Sequence, residues 1–255
     1  MSIQAYDADM VEAPGAEALA SGALASLWAS FGGVWPLWSI LTVINAVGAA
    51  LAEGQTGPAG AGTQTGLVAL PSLVASTLGA SVVSGVAIRL MLGRGKAAWL
   101  PDLGLIAYVG LVSLLTAGPS AFALIVQAPH GATQAAVTSF IELASVALLA
   151  TIGAIWATLR LTLWPIGRLL GNAEMTAGRS WRLMRGAVLR YLMGAILLGA
   201  PVAMLNFMVI TLTKSQGHLI SQIAATPLNA LIALLAAAVA AEVYRARVVV
   251  APSED

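Results

Sequence analysis

The sequence predicts an all-α polytopic membrane protein of six transmembrane helices, with an interfacial amphipathic helix between the fourth and fifth. Three observations carry that prediction. Hydrophobic residues fill 59% of 255 positions and charged residues 9%, with a mean hydropathy of +0.89. Soluble domains sit near half apolar with about a quarter charged, so lipid must be the solvent for much of this chain. The apolar residues also fall in runs long enough to cross a bilayer as helices, which takes about 20 residues each. Finally, the basic residues gather in alternate loops.

The first run is roughly Leu27 to Leu51 and holds Pro36 and Asn45. The second is roughly Gly66 to Leu92, the third roughly Leu103 to Val126, and the fourth roughly Ala136 to Leu163. Gly118-Pro119 would allow the third to close early. The fifth, roughly Val188 to Leu212, contains Pro201, and the sixth runs roughly from Pro227 to Val249. Residues 1–17 form an acidic tail carrying Asp7, Asp9, Glu12 and Glu17. That tail lacks the positive n-region of a cleaved signal peptide, so the first run is expected to stay as an anchor. Residues 18–250 then make one transmembrane domain, followed by a short tail at 251–255.

Charge sets the expected orientation. The segment between runs two and three carries Arg89, Arg94 and Lys96. The segment between four and five carries Arg160, Arg168, Arg179, Arg182, Arg185 and Arg190, and the C-terminal end carries Arg245 and Arg247. Only Lys214 lies on the other side. Short loops rich in Lys and Arg stay cytoplasmic, so both termini are expected there. The outer loops, such as AEGQTGPAGAGTQ at 52–64, are small and polar. Runs two, four and six each end at an arginine, in SGVAIRLML, WATLRLTL and AEVYRARV. Three stacked helical hairpins would produce that pattern, and so would the positive-inside rule alone.

The stretch GNAEMTAGRSWRLMRGAVLRY, residues 171–191, breaks the apolar pattern. Gly171-Asn172 ends the helix that continues from run four. Asn172 suits the cap of a new helix, and Glu174 suits its first turn. Ala177, Trp181, Met184 and Val188 then recur on one apolar face, with Arg179, Arg182 and Arg185 on another arc. With Arg190 beyond them, these residues predict a helix lying on the inner leaflet, where Trp prefers the headgroup level. Each arginine there gains about 1 kcal/mol from anionic lipid. A second amphipathic piece is expected before the first run, with Leu19, Leu24, Trp28 and Phe31 approximating one face.

The layout NAEMTAGRSWRLMRGAVLRYLMG resembles the segment before the fifth span in a broad bacterial family. That family comprises the membrane domain of glycerophosphoryl diester phosphodiesterases and related stand-alone six-helix proteins. The shared features are a small-residue helix, Ser180-Trp181, a basic-apolar run to Gly186, and an aromatic before the next span. AAEVYRARV, with Tyr244 and Arg245, resembles the same family, and the resemblance covers roughly 140–250. It implies the fold and a place in a bacterial inner membrane. The phosphodiesterase catalytic domain has no counterpart, so hydrolysis is not implied.

Catalytic groupings are sparse. Cysteine is absent, which removes disulfides, thiolate metal sites and a cysteine nucleophile. His130 and His218 fall in expected outer loops with no carboxylate at metal-ligand spacing. GRGKAA at 93–98 lacks P-loop spacing. Ser84-Gly85 has Val82 where an intramembrane serine protease needs Gly. No enzyme, cofactor or metal is expected, and a net charge of +1 offers no field for nucleic acid. Polar residues within spans are costly, which draws attention to Glu142, Asn45 and Asn206. They read either as an intramembrane polar site or as interhelical packing bonds. Asp102 suits a helix N-terminus. Ala233, Ala237 and Ala241, and likewise Ser81 and Gly85, form small-residue stripes for close helix approach or for a partner. The expected function is binding of membrane lipid, anionic in character, or of a protein partner at the inner leaflet. The alternatives are a transporter or channel for a small or amphiphilic solute, and an accessory subunit of a larger complex or homo-oligomer.

Overall fold

The computed structural model describes residues 14–55, 70–113, 149 and 152–249. Among these the chain is helical and has no strand. Three helices are long and apolar enough to cross a membrane: Phe31–Ala50, Val188–Gln216 and His218–Val248. They match the first, fifth and sixth expected runs. Shorter apolar helices cover Ser76–Met91, Leu103–Ser113 and Ile152–Leu161, within the second, third and fourth. The remainder of those last two runs, including Glu142 and His130, lies outside the described residues.

In chain order, α1 is Ala16–Ala29, α2 is Phe31–Gln55 and α3 is Leu70–Met91. Then come α4 (Leu103–Ser113) and α5 (Ile152–Leu161). They are followed by α6 (Leu163–Leu169), α7 (Ala177–Leu183), α8 (Val188–Thr213) and α9 (His218–Tyr244). The hub is α9, which packs against α1, α2, α3 and α8. Its alanines explain that role. Ala237, Ala238 and Ala241 are buried, and small side chains let neighbouring backbones approach closely, which drives helix association in lipid. Gly85 does the same for α4, because a Cβ there would stand 2.8 Å from Leu105. Ala241 and Gly85 therefore serve packing inside the bundle. By contrast α8 is peripheral and turns Met204, Phe207 and Leu212 outward.

Two boundaries differ from expectation. The helix that matches the sixth expected run begins at His218, nine residues before Pro227, so His218 opens a helix instead of lying in a loop. Gly217 (φ +117°) turns the chain into that helix. Pro227 sits inside it, where the missing N–H frees the carbonyl of Ile223. The Thr226 hydroxyl donates to that carbonyl at 2.8 Å, so the proline is accommodated. The other difference concerns α1. Leu19, Ala20, Ala23 and Ser26 are its buried side, while Leu24, Trp28 and Phe31 point outward. Small residues win the interior face because α1 packs on α8 and α9, and bulky ones would hold it off. The displaced aromatics Trp28 and Phe31 continue through Trp35 to Trp38 as a ladder, with ring centroids 4.8–5.8 Å apart, that ends where the Trp38 indole N–H donates to the Pro227 carbonyl.

Candidate functional site

Two features of the bundle bear on function: one strongly basic end, and a cavity between the helices.

The basic end is built by three arginines at the ends of runs two, four and six. Each bonds a carbonyl of a neighbouring element. Arg89 is not a loop cation. It lies on α3 and is only 2% exposed. Its guanidinium donates to the carbonyls of Leu100 (2.9 Å) and Leu169 (3.1 Å) and pairs with Asp102. Burial is possible because those groups replace the water that a lone charge would lose. Asp102 also accepts from the Leu105 N–H at 2.8 Å, and so caps α4 as its position foretold. Hydrogen bonding from Arg89 holds its carboxyl below the ordinary value. Arg160 lies between the rings of Trp156 and Trp181, 5.4 and 5.2 Å from their centroids, and donates to the Trp181 carbonyl. Arg245 pairs with Glu242, bonds the Ser26 hydroxyl at 3.0 Å and donates to the Met91 carbonyl at 2.8 Å. Glu242 had no expected role. Its signal in the sequence was a carboxylate three residues before an arginine, which is one helical turn.

Residues 171–191 are not one continuous amphipathic helix. Helix α6 ends in a Schellman turn around Gly171 (φ +78°), with the Asn172 N–H reaching the Gly167 carbonyl at 2.8 Å. The Asn172 side chain then accepts from the Glu174 N–H, so it closes a turn and does not cap α7. That cap is Thr176, whose hydroxyl accepts from the Arg179 N–H at 3.2 Å. Gly186 (φ +77°) redirects the chain before α8 begins at Val188. The apolar face is split accordingly. Met184 and Val188 are buried, while Trp181 is half-exposed and stacked on Arg160.

The arginines divide as well. Arg179 pairs with Glu174 at 3.1 Å. Arg190 lies in the first turn of α8 and is half-buried. Arg182 and Arg185 are exposed and make no hydrogen bond or ion pair among the described residues; Arg168 on α6 is alike.

The cavity occupies about 500 Å³ between α2, α3, α4, α5, α6, α8 and α9. Among the described residues, no charged side chain lines it. Thr77, Ser81, Ser84 and Ile88 reach it from one face of α3, at the i, i+4, i+7 and i+11 positions of a helix. Asn45 and Asn229 lie along one part of the wall, Tyr108 and Tyr191 along another, with Ala233 and Ala237 between. Asn206 is not on the wall. It donates to the Asn229 side chain at 2.8 Å, and its own buried Oδ1 has no partner among the described residues. The structure thus brings Asn45 to the cavity and links Asn206 to it through one residue. Sequence reasoning missed Asn229, Tyr108 and Tyr191. Asn229 was hidden by reading Pro227 as a helix start. On α3, Ser81 was visible but read only as part of a small-residue stripe for close helix approach or for a partner.

Comparison with protein-family models, curated proteins and solved structures finds no match to this chain.

Proposed function

We propose that this chain is a non-enzymatic, multi-pass protein of a bacterial inner membrane, with both termini cytoplasmic, that binds anionic lipid at the inner leaflet. The observation that carries the reading is the set Arg168, Arg182 and Arg185. All three are exposed at the basic end, unpaired among the described residues, and share that end with the half-exposed ring of Trp181. Unpaired cations at headgroup depth attract anionic lipid by about 1 kcal/mol each, and a tryptophan beside them anchors at the same level. Arg179 adds less, because Glu174 offsets its charge. The resemblance of residues 172–194 to the membrane domain of glycerophosphoryl diester phosphodiesterases supports a six-helix architecture with this segment before the fifth span.

The test is Arg168→Gln, Arg182→Gln and Arg185→Gln combined, in nanodiscs of mixed phosphatidylglycerol and phosphatidylcholine. Native mass spectrometry counts the phosphatidylglycerol retained. Loss of most of it supports lipid binding. Wild-type retention refutes it, and a second polypeptide at fixed stoichiometry makes the chain an accessory subunit instead. A second reading, a transporter of a small or amphiphilic solute, is favoured by the uncharged cavity that Asn45 lines.

A further inference from the structure

We infer that the cavity between the helices is a binding site for a neutral, elongated, lipid-soluble molecule whose oxygen atoms accept hydrogen bonds from Tyr108 and Tyr191. This site is separate from the arginines that attract anionic lipid.

Size and shape come first. A volume of about 500 Å³ falls within the roughly 300–1,000 Å³ of small-molecule sites. The axial extent follows from helix geometry at about 1.5 Å per residue. Tyr191 lies three residues into α8, about 5 Å from its basic end. Asn45 lies fourteen residues into α2, about 21 Å from the same end of the bundle. The wall therefore runs for about 16 Å along the helices, which suits a chain-like molecule.

Chemistry comes second. Tyr108 and Tyr191 are 5% and 8% exposed. Neither phenol hydroxyl has a hydrogen-bond partner among the described residues, and both side chains line the cavity. Neither hydroxyl is a sealed, unsatisfied atom, so each stays open to a partner that enters the cavity. Two such hydroxyls on residues that line one space are what a ligand's oxygens would satisfy. Between the phenols and Asn45, Ala233, Ala237 and Leu41 give the wall an aliphatic side that suits a hydrocarbon body, opposite the hydroxyls of Thr77, Ser81 and Ser84 on α3. The lack of charge among the described lining residues favours a neutral class. A phosphate or carboxylate placed here would meet no cation among the described lining residues, and an ion moved out of water without a counter-charge is disfavoured. Arg89, the nearest buried cation in sequence to the α3 wall, is already held by Asp102, Leu100 and Leu169.

The experiment uses the full chain in phosphatidylcholine nanodiscs. The probe is 1-decanoylglycerol, which is neutral, single-chained and short enough for the wall. Its phosphorylated counterpart, 1-decanoylglycerol-3-phosphate, is the competitor. Native mass spectrometry reads occupancy. One molecule of the neutral probe is expected per chain, with weak displacement by the charged competitor. Tyr108→Phe with Tyr191→Phe removes two hydrogen bonds and keeps the shape, so affinity should fall roughly tenfold. Ala237→Phe fills the space and should abolish binding. If that variant does not fold, the tyrosine pair decides. Absence of bound probe in the wild type overturns the proposal, as does unchanged affinity in the tyrosine pair. Equal displacement by the charged competitor overturns the neutral class. The Arg168, Arg182 and Arg185 variant should keep the probe, so failure of one site is distinguishable from failure of the other.

Discussion

Replacing Asp102 separates two roles that one carboxylate performs. Its Oδ1 pairs with the buried guanidinium of Arg89 and also accepts the Leu105 N–H that caps α4. Asp102→Asn keeps an oxygen for the cap and removes the charge. A hydrogen bond to a charged group contributes about 1.5–3 kcal/mol. The Asp102 side chain is 53% exposed, so solvent screening puts the loss at the lower end, about 1.5–2 kcal/mol. Arg89 keeps its bonds to Leu100 and Leu169 and is not stranded. Asp102→Ala also loses the cap, worth about 1 kcal/mol, for about 3 kcal/mol in all. Unfolding in dodecyl maltoside micelles with rising dodecyl sulfate, followed by tryptophan fluorescence, reads both. The pH dependence adds a sign. The Arg89 bond depresses the folded-state pKa below the ordinary 3.8. The stabilisation is therefore complete above the unfolded value and lost as pH falls through the folded one. The gap between wild type and Asp102→Asn should begin to narrow below about pH 4 and vanish once the pH lies below the depressed folded-state value. Equal stability at neutral pH, or a gap that survives at low pH, would refute the reasoning.

Other substitutions probe packing and backbone. A Cβ on Gly167 would lie 2.3 Å from the Met175 Cβ, so Gly167→Ala should cost about 1–3 kcal/mol or more in the same unfolding assay. Gly186→Ala meets no atom within 4 Å, but φ is +77° there, so its cost should be backbone strain alone, about 1–2 kcal/mol. A stabilised Gly186→Ala would contradict the turn. Asn206→Leu removes the bond to Asn229 and should cost only about 0.6 kcal/mol, because an unfolded helix in lipid also finds partners. A loss several times larger would mean that the pair holds more than each other.

Much of the helical layout was legible because a bilayer imposes it. A helix is the simplest way to satisfy backbone groups in hydrocarbon, so long apolar runs declare themselves. Val188–Thr213 was foreseen to within a residue at each end. The start of the sixth helix was not, because a proline tolerated inside a helix looks the same in sequence as one that begins it. Residues 171–191 failed as a single helix for a related reason. Periodicity marks which residues share a face, but a glycine such as Gly186 takes a positive φ only when the packing around it demands the turn.

The sequence by itself determined that the chain is helical, that it carries runs apolar enough to cross a membrane, and that its basic residues cluster in alternate segments. Those properties follow from composition and spacing, which act locally. Only the tertiary structure decided what the basic residues do. Arg89, Arg160 and Arg245 tie helix ends together, whereas Arg168, Arg182 and Arg185 stay unpaired among the described residues. Their charges are identical in sequence, and the distinction lies in which carbonyls and carboxylates the fold brings within about 3 Å. The cavity belongs to the same category. Asn45, Tyr108, Tyr191 and Asn229 come from four helices, and no local pattern could have placed them on one wall.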